Sequence, residues 1–127
     1  MTVRKLAPGD ERHAAFLGDA TRFLATAGCR LWAAFDGDEA VGWAYGHDLA
    51  HPDGRTTTLL YSLDVAEHAR RRGHGTALAR AFADDALASG SAEVWVLTDA
   101  ANGPANATYA AAGGTLDAGD TVMYVWS

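Results

Sequence analysis

Between Leu63 and Thr76 the chain reads Leu-Asp-Val-Ala-Glu-His-Ala-Arg-Arg-Arg-Gly-His-Gly-Thr. An extended run ends in a turn dense in positive charge and glycine, and a helical pattern starts at once. Upstream, residues 57–65 are rich in β-branched and aromatic side chains and read as a long strand. Downstream, Leu78, Ala81, Phe82, Ala86 and Leu87 recur at helical spacing from Gly75 to Leu87, and Gly90 is well placed as the stop. A strand that feeds a helix through so short a turn belongs to an α/β sheet with helices packed on it.

The flanking sequence supplies the rest of that sheet. Residues 3–6 form a short strand, and Pro8-Gly9-Asp10 opens a helical region in which Phe16, Leu17, Phe23 and Leu24 share an inner face. Two apolar runs, 31–35 and 40–45, flank Asp36-Gly37, a strong hairpin signal. Residues 47–55, with Pro52 and Gly54, read as a loop. A short strand at 93–97, an alanine-rich helix at 105–112 ending at Gly113-Gly114, and a strand at 122–126 complete the order β, α, β, β, β, α, β, α, β. The 127 residues match one compact domain spanning residues 1–127.

Charge and cysteine use narrow the functional classes. The net charge of −6 argues against nucleic acid as a partner, because phosphate binding needs a surplus of lysine and arginine. No run approaches the roughly 20 apolar residues that span a bilayer, nor a signal-peptide core, so the expectation is a cytoplasmic protein without a membrane partner. The single cysteine, Cys29, has no partner for a disulfide or a thiolate metal site and is expected to be a small buried residue; no metal is expected.

Within this acidic chain, Arg70, Arg71 and Arg72 are consecutive, and no basic residue follows Arg80. Helix N-termini present unpaired N–H groups and a positive dipole end, and glycines let that backbone approach an anion. A diphosphate fits such a turn. So does a plain solvated charge run in which Gly73 and Gly75 only shape the backbone. The spacing of a nucleotide P-loop, with its lysine, is absent.

The turn resembles the pyrophosphate-binding signature Arg/Gln-x-x-Gly-x-Gly/Ala of the GCN5-related N-acetyltransferases, matched by Arg70, Gly73 and Gly75. In that family the signature follows a strand ending Leu-x-Val, as Leu63-Asp64-Val65 does. About thirty residues later comes Asn-x-x-Ala-x-x-x-Tyr-x-x-x-Gly, matched by Asn102, Ala105, Tyr109 and Gly113. The resemblance runs from the Trp32 strand onward. It implies an α/β (α+β) fold: a mixed, mostly antiparallel sheet of six to seven strands with three to four helices and splayed central strands.

The resemblance also implies a reaction, acetyl transfer from acetyl-CoA to a primary amine by direct attack, without a covalent enzyme intermediate. Leu63, Asp64 and Val65 would offer backbone groups to the pantetheine arm. Arg70, Arg71, Arg72, Gly73, His74, Gly75 and Thr76 would hold the phosphates, with Asn102 and Ala105 near the end of the arm. Tyr109 would sit beside the sulfur and protonate the departing thiolate; as an alternative it is a helix tyrosine packed on the sheet. No glutamate stands between Thr57 and Tyr61, where some relatives carry their base, which leaves Asp64, His47, Asp48, Asp99 and Glu67 as candidates. Asp64 points away from Leu63 and Val65, and His68 and His74 are expected in the solvated turn.

Within the family, Tyr61-Ser62-Leu63, Glu67-His68 with the arginine run, and Gly103-Pro104-Ala105 resemble the aminoglycoside 3-N-acetyltransferases, antibiotic-resistance enzymes of similarly short length. That branch typically has an aspartate where this chain has Ser62. The expected acceptor is a cationic small-molecule amine; a protein N-terminus, a lysine or a polyamine are alternatives, as is a non-catalytic acetyl-CoA-binding regulator. A homodimer stands beside a monomer as the assembly.

Overall fold

A computed structural model describes residues 1–117 and 122–127. Five strands form one sheet in sequence order: β1 (Thr2–Lys5), β2 (Cys29–Asp36), β3 (Glu39–Ala50), β4 (Thr56–Val65) and β5 (Val94–Val96). The first three ladders are antiparallel and the β4–β5 ladder is parallel. A 3-10 segment (Glu11–Leu17) and α1 (Thr21–Ala25) follow β1, and a 3-10 turn (Glu67–Ala69) leads from β4 into α2 (His74–Ala88). After β5 comes α3 (Gly103–Ala111).

The parallel β4–β5 pair forces a crossover, and α2 is that crossover. Its inner face buries Leu78, Ala79, Phe82 and Ala86 against one side of the sheet, and a side chain of the size of Phe82 or Leu78 contributes roughly 1.5–3 kcal/mol when fully buried. Two glycines of β3 let the helix approach: a Cβ on Gly46 would overlap the Leu59 carbonyl and press on Phe82, and one on Gly42 would come within 2.9 Å of the Asp64 carbonyl oxygen. The other side of the sheet carries Leu31, Ala33 and Phe35, covered by Ala14, Ala20, Phe23 and Leu24.

Three expectations are corrected. Residues 47–50 continue β3, opposite Thr56–Leu59, so the loop shrinks to the turn at 51–55; Pro52 and Gly54 mark that turn, whereas His47 to Ala50 pair in register. The run 122–126 forms no strand, and its side chains are exposed; among the described residues no strand pairs with it. The sheet therefore has five strands among the described residues, not six to seven.

In the helical region before β2, Phe23 and Leu24 pack inward as expected, whereas Phe16 and Leu17 remain largely exposed. The tight 3-10 geometry of Glu11–Leu17 turns Phe16 outward to lie on Trp43, with ring centroids 5.2 Å apart.

A charged pin crosses the α2 side. Arg30 donates from Nε to Asp48 at 2.9 Å and from Nη1 to Asp85 at 2.8 Å, and Lys5 reaches Asp85 at 2.9 Å. Thr58 donates to Asp48 as well. Five elements, β1, β2, β3, β4 and α2, are thereby tied at one end of the sheet.

Candidate functional site

β4 and β5 pair only at Thr58–Val94, Leu59–Trp95 and Leu60–Val96. Beyond Leu60 the two strands part, and among the described residues no strand pairs with the outer edge of β4 at 61–65. That edge is a row of backbone groups beside a cleft, open to a ligand that pairs like a strand. α2 begins at the head of the cleft. Its first cap bond runs from the Ala77 N–H to the Gly73 carbonyl, so the N–H groups of His74, Gly75 and Thr76 lack helical acceptors. Gly73 caps the helix in left-handed geometry, with φ +82°, and Arg71, at φ +66°, is the one non-glycine with positive φ among the described residues. Such a conformation in an arginine is strained and recurs where backbone is shaped for a ligand.

Gly75 stands where three elements meet. A Cβ placed on it would lie 3.4 Å from Thr108 Cγ2 on α3 and 3.7 Å from Leu63 Cδ2 on β4. Leu63, Gly75 and the Thr108-Tyr109 pair, which lie far apart in sequence, thus converge at one end of the cleft. The chain belongs to the acetyltransferase (GNAT) family. The family profile matches residues 3–113, and no curated protein matches the chain in sequence. Among solved structures, an aminoglycoside acetyltransferase from an uncultured soil metagenomic sample, in complex with sisomicin, is similar with a TM-score of 0.84 at 18% identity, over 99% of this chain and 95% of that one. A second aminoglycoside acetyltransferase from such a sample is 25% identical over 98% of each chain, with a TM-score of 0.74. An aminoglycoside N-acetyltransferase in complex with CoA gives 0.80 at 18% identity over 99% of each chain.

As a GNAT acetyltransferase, the protein is an acyltransferase, and its candidate site residues fall into three groups. The first is the turn. Arg70 donates from Nε to the Val65 carbonyl at 2.9 Å, and Asp64 Oδ1 accepts the Val65 N–H at 2.8 Å. Both backbone groups of Val65 are therefore engaged, and Asp64 and Arg70 brace the strand end. Arg72 leans toward Asp36 at 3.4 Å. Arg71 has no ion partner among the described residues. His68 is exposed and pairs with Glu39, as expected of a solvated turn. His74 is a correction: it is 3% exposed, in the first turn of α2, with no hydrogen-bond partner for Nδ1 among the described residues. The sequence places it beside Gly73 and Gly75, but helical geometry turns its ring inward.

The second group is α3. Asn102 caps the helix, its Oδ1 accepting the Ala105 N–H at 3.2 Å, so a signature asparagine here also shapes its own helix. Tyr109 is half-buried against the core that Leu63, Val94 and Val96 edge, and burial raises its pKa above the ordinary phenol value. It is a protonated hydroxyl at neutral pH.

The third group is not read from the sequence as a unit, although His47 is a base candidate, Phe23 an inner-face residue and Tyr61 part of the Tyr61-Ser62-Leu63 likeness. On the sheet face opposite α2, Phe23, Tyr45, His47 and Tyr61 form a continuous aromatic wall, with neighbouring ring centroids 5.5–6.2 Å apart. Tyr45 also lines a cleft of about 200 Å³ with Phe23, Leu31, Leu17 and Asp19. The signal was the alternation Trp43, Tyr45, His47 within β3, hidden by reading 47–55 as a loop. Cys29 is half-buried rather than enclosed, 3.6 Å from His47 Nδ1, and burial followed by the charge of Asp48 raises its thiol pKa. Of the base candidates, Asp48 is spent on Arg30 and Thr58 on the far face and Asp64 on Val65 and Arg70, while His47 faces the aromatic wall. Ser62 accepts the Trp43 indole N–H at 3.1 Å, so the hydroxyl at this position is already oriented by a neighbour.

Proposed function

We propose that this GNAT enzyme uses acetyl-CoA to acetylate the primary amine of a cationic small molecule. The convergence of Leu63, Gly75 and Thr108-Tyr109 at one end of the cleft carries the reading. The residues fit the cosubstrate. The unpaired N–H groups of His74, Gly75 and Thr76 and the unpartnered Arg71 suit a diphosphate, with Arg70 and Arg72 adding positive charge and Gly73 shaping the turn. The edge at Leu63 suits the pantetheine amides, with Asp64 and Val65 supporting it, and Asn102 and Ala105 border the end of that path. Bound there, the thioester supplies an activated acetyl carbonyl. Tyr109 holds a proton at Oη to hydrogen-bond the departing thiolate, and the backbone N–H of Leu63, two residues before the Val65 N–H that Asp64 holds, steadies negative charge on the carbonyl oxygen. Of the candidate bases, His47 is the one on the aromatic wall, while Asp99 and Glu67 stand exposed and remain alternatives.

The acceptor reading follows from charge and from the aromatic wall. An ammonium is drawn to a protein of net charge −6 and to aromatic faces such as the wall of Phe23, Tyr45, His47 and Tyr61. Aminoglycosides are the substrate class to test first, since structural neighbours act on them at 18–25% identity. The finer likeness to the 3-N branch rests on Tyr61-Ser62-Leu63 and Gly103-Pro104-Ala105, with Ser62 in place of an aspartate. Assays of gentamicin-like and kanamycin-like compounds against spermidine and lysine peptides, by thiol release, separate these acceptors. Turnover of peptides alone removes the antibiotic reading and keeps the acetyltransferase.

Two measurements test the halves of the site. Gly73→Val puts a β-branched residue at φ +82°, a strain of roughly 1–2 kcal/mol that reshapes the turn, and calorimetry should show CoA affinity weakened about tenfold. Unchanged affinity in a folded variant removes the turn from the site. For the acceptor, kcat/KM should fall roughly three- to tenfold as salt rises to physiological strength, where the Debye length is about 8 Å, while kcat stays nearly constant. A salt-independent kcat/KM would point to a neutral acceptor.

A further inference from the structure

Arg4 on β1 and Arg12 and His13 on the 3-10 segment line one open groove of about 530 Å³, together with Phe35 and the hairpin residues Gly37 and Asp38. None of these residues belongs to the cleft beside β4 or to the aromatic wall. The Phe35 ring is buried and steadies two of the polar groups: the Arg4 guanidinium carbon lies 5.2 Å from its centroid, and the His13 ring stands at 87° to it with centroids 5.3 Å apart. Arg12 donates from Nε to His13 Nε2 at 3.3 Å. Neither arginine has an ion partner among the described residues. Asp38 is the one carboxylate on the lining, because Asp36 and Glu39, on either side of the hairpin turn, are drawn to Arg72 and His68. The groove thus sets two guanidinium charges against one carboxylate, in a chain of net charge −6.

We infer that this groove is a second small-molecule site and that its ligand is a phosphate monoester. Three observations select that chemistry. Two unpaired guanidinium groups, from different elements, border one concavity, and a guanidinium fork matches the oxygens of an oxyanion. The Phe35 ring holds Arg4 by a cation–π contact and His13 by an edge contact, so part of the cost of ordering the site is met before the ligand arrives. Because His13 Nε2 accepts the Arg12 N–H, the proton of the neutral imidazole sits on Nδ1, which adds a donor to the lining. A carboxylate is filled by a single guanidinium fork, whereas a phosphate monoester offers three terminal oxygens, enough for donors approaching from β1 and from the 3-10 segment together. The volume falls within the roughly 300–1,000 Å³ of small-ligand sites, so an organic body fits beyond the phosphate.

Titration of the full chain with inorganic phosphate, glycerol phosphate and acetate, followed by amide NMR at an ionic strength held constant with sodium chloride, tests the inference without reference to activity. The amides of His13, Gly37 and Asp38 should shift saturably with phosphate, at a dissociation constant of about 1–10 mM. Glycerol phosphate should bind at least as tightly, and acetate about tenfold more weakly. Arg4 and Arg12 are both exposed, so Arg4→Gln with Arg12→Gln should keep the spectrum of the fold while weakening phosphate about tenfold or more. Arg12→Gln alone leaves the Arg4 contact with Phe35 in place and should weaken it about threefold. Shifts confined to residues 70–76 would place the anion at the basic turn alone and overturn the inference. So would shifts that chloride reproduces, a folded double variant that binds as the wild type does, acetate bound as tightly as phosphate, or a groove that takes phosphate but refuses its monoester.

Discussion

Tyr109→Phe is expected to lower turnover roughly 10- to 1000-fold while leaving CoA affinity nearly unchanged, the range for losing a positioned acid whose ring remains in place. Phenylalanine preserves the packing of the ring against the core and deletes only the hydroxyl, so circular dichroism and melting temperature serve as controls. The pH profile adds a readout that packing alone would not move. Burial raises the Tyr109 pKa above its ordinary value, which lies near 10; the protonated, active form persists through neutral and mildly alkaline pH and is lost only above that value. The wild-type kcat should therefore show an alkaline limb beyond about pH 10, and Tyr109→Phe should lack it. Equal turnover in the two proteins would reduce Tyr109 to a packed helix residue.

The parts of this site written in local sequence were legible, and the parts made by register were not. The turn at 70–76 announces itself because charge, glycines and the switch from period 2 to period 3.6 coincide within seven residues. The α3 motif is equally local, since Asn102 caps the helix that carries Tyr109 about two turns further on. The aromatic wall, in contrast, joins α1, β3 and β4, and a β-bulge between Tyr45 and Gly46 shifts the β3–β4 register, so the alternation within β3 hints at one side of the wall but does not place Phe23 and Tyr61 beside it. His74 was misplaced for a related reason: its neighbours advertise a solvated turn, but the helix that begins there turns it into the core. The expected final strand failed because strand propensity states what a segment can pair with, not whether an edge is present beside it.

The second large effect concerns stability. Replacing Arg30 by methionine should cost about 2–4 kcal/mol at neutral pH, because removing one partner of a buried charge cluster strands the others. Arg30 is 10% exposed at its side chain, whereas Asp48 and Asp85 are each 23% exposed, so water relieves part of the loss and the lower portion of the usual range applies. Lys5 still reaches Asp85, but Asp48 keeps only the Thr58 hydroxyl.

The pH dependence separates charge from packing. For both aspartates burial acts to raise the pKa. At Asp48 hydrogen bonds from Arg30 and Thr58, and at Asp85 those from Lys5 and Arg30, outweigh it, and the net shift is downward. A depressed carboxylate pKa contributes stability that is present above the unfolded value near 3.9 and is lost as pH falls through the folded value. Without Arg30 the burial effect dominates at Asp48, its pKa rises, and protonation relieves the variant in the range where the wild type weakens. Urea denaturation at pH 7 and again near pH 4 should therefore show the gap between the two proteins narrowing toward acid. A gap that stays constant across that range would mean that Arg30 acts through its apolar stem and not through its charge, and the pin would then be a packing feature of the β2–α2 contact.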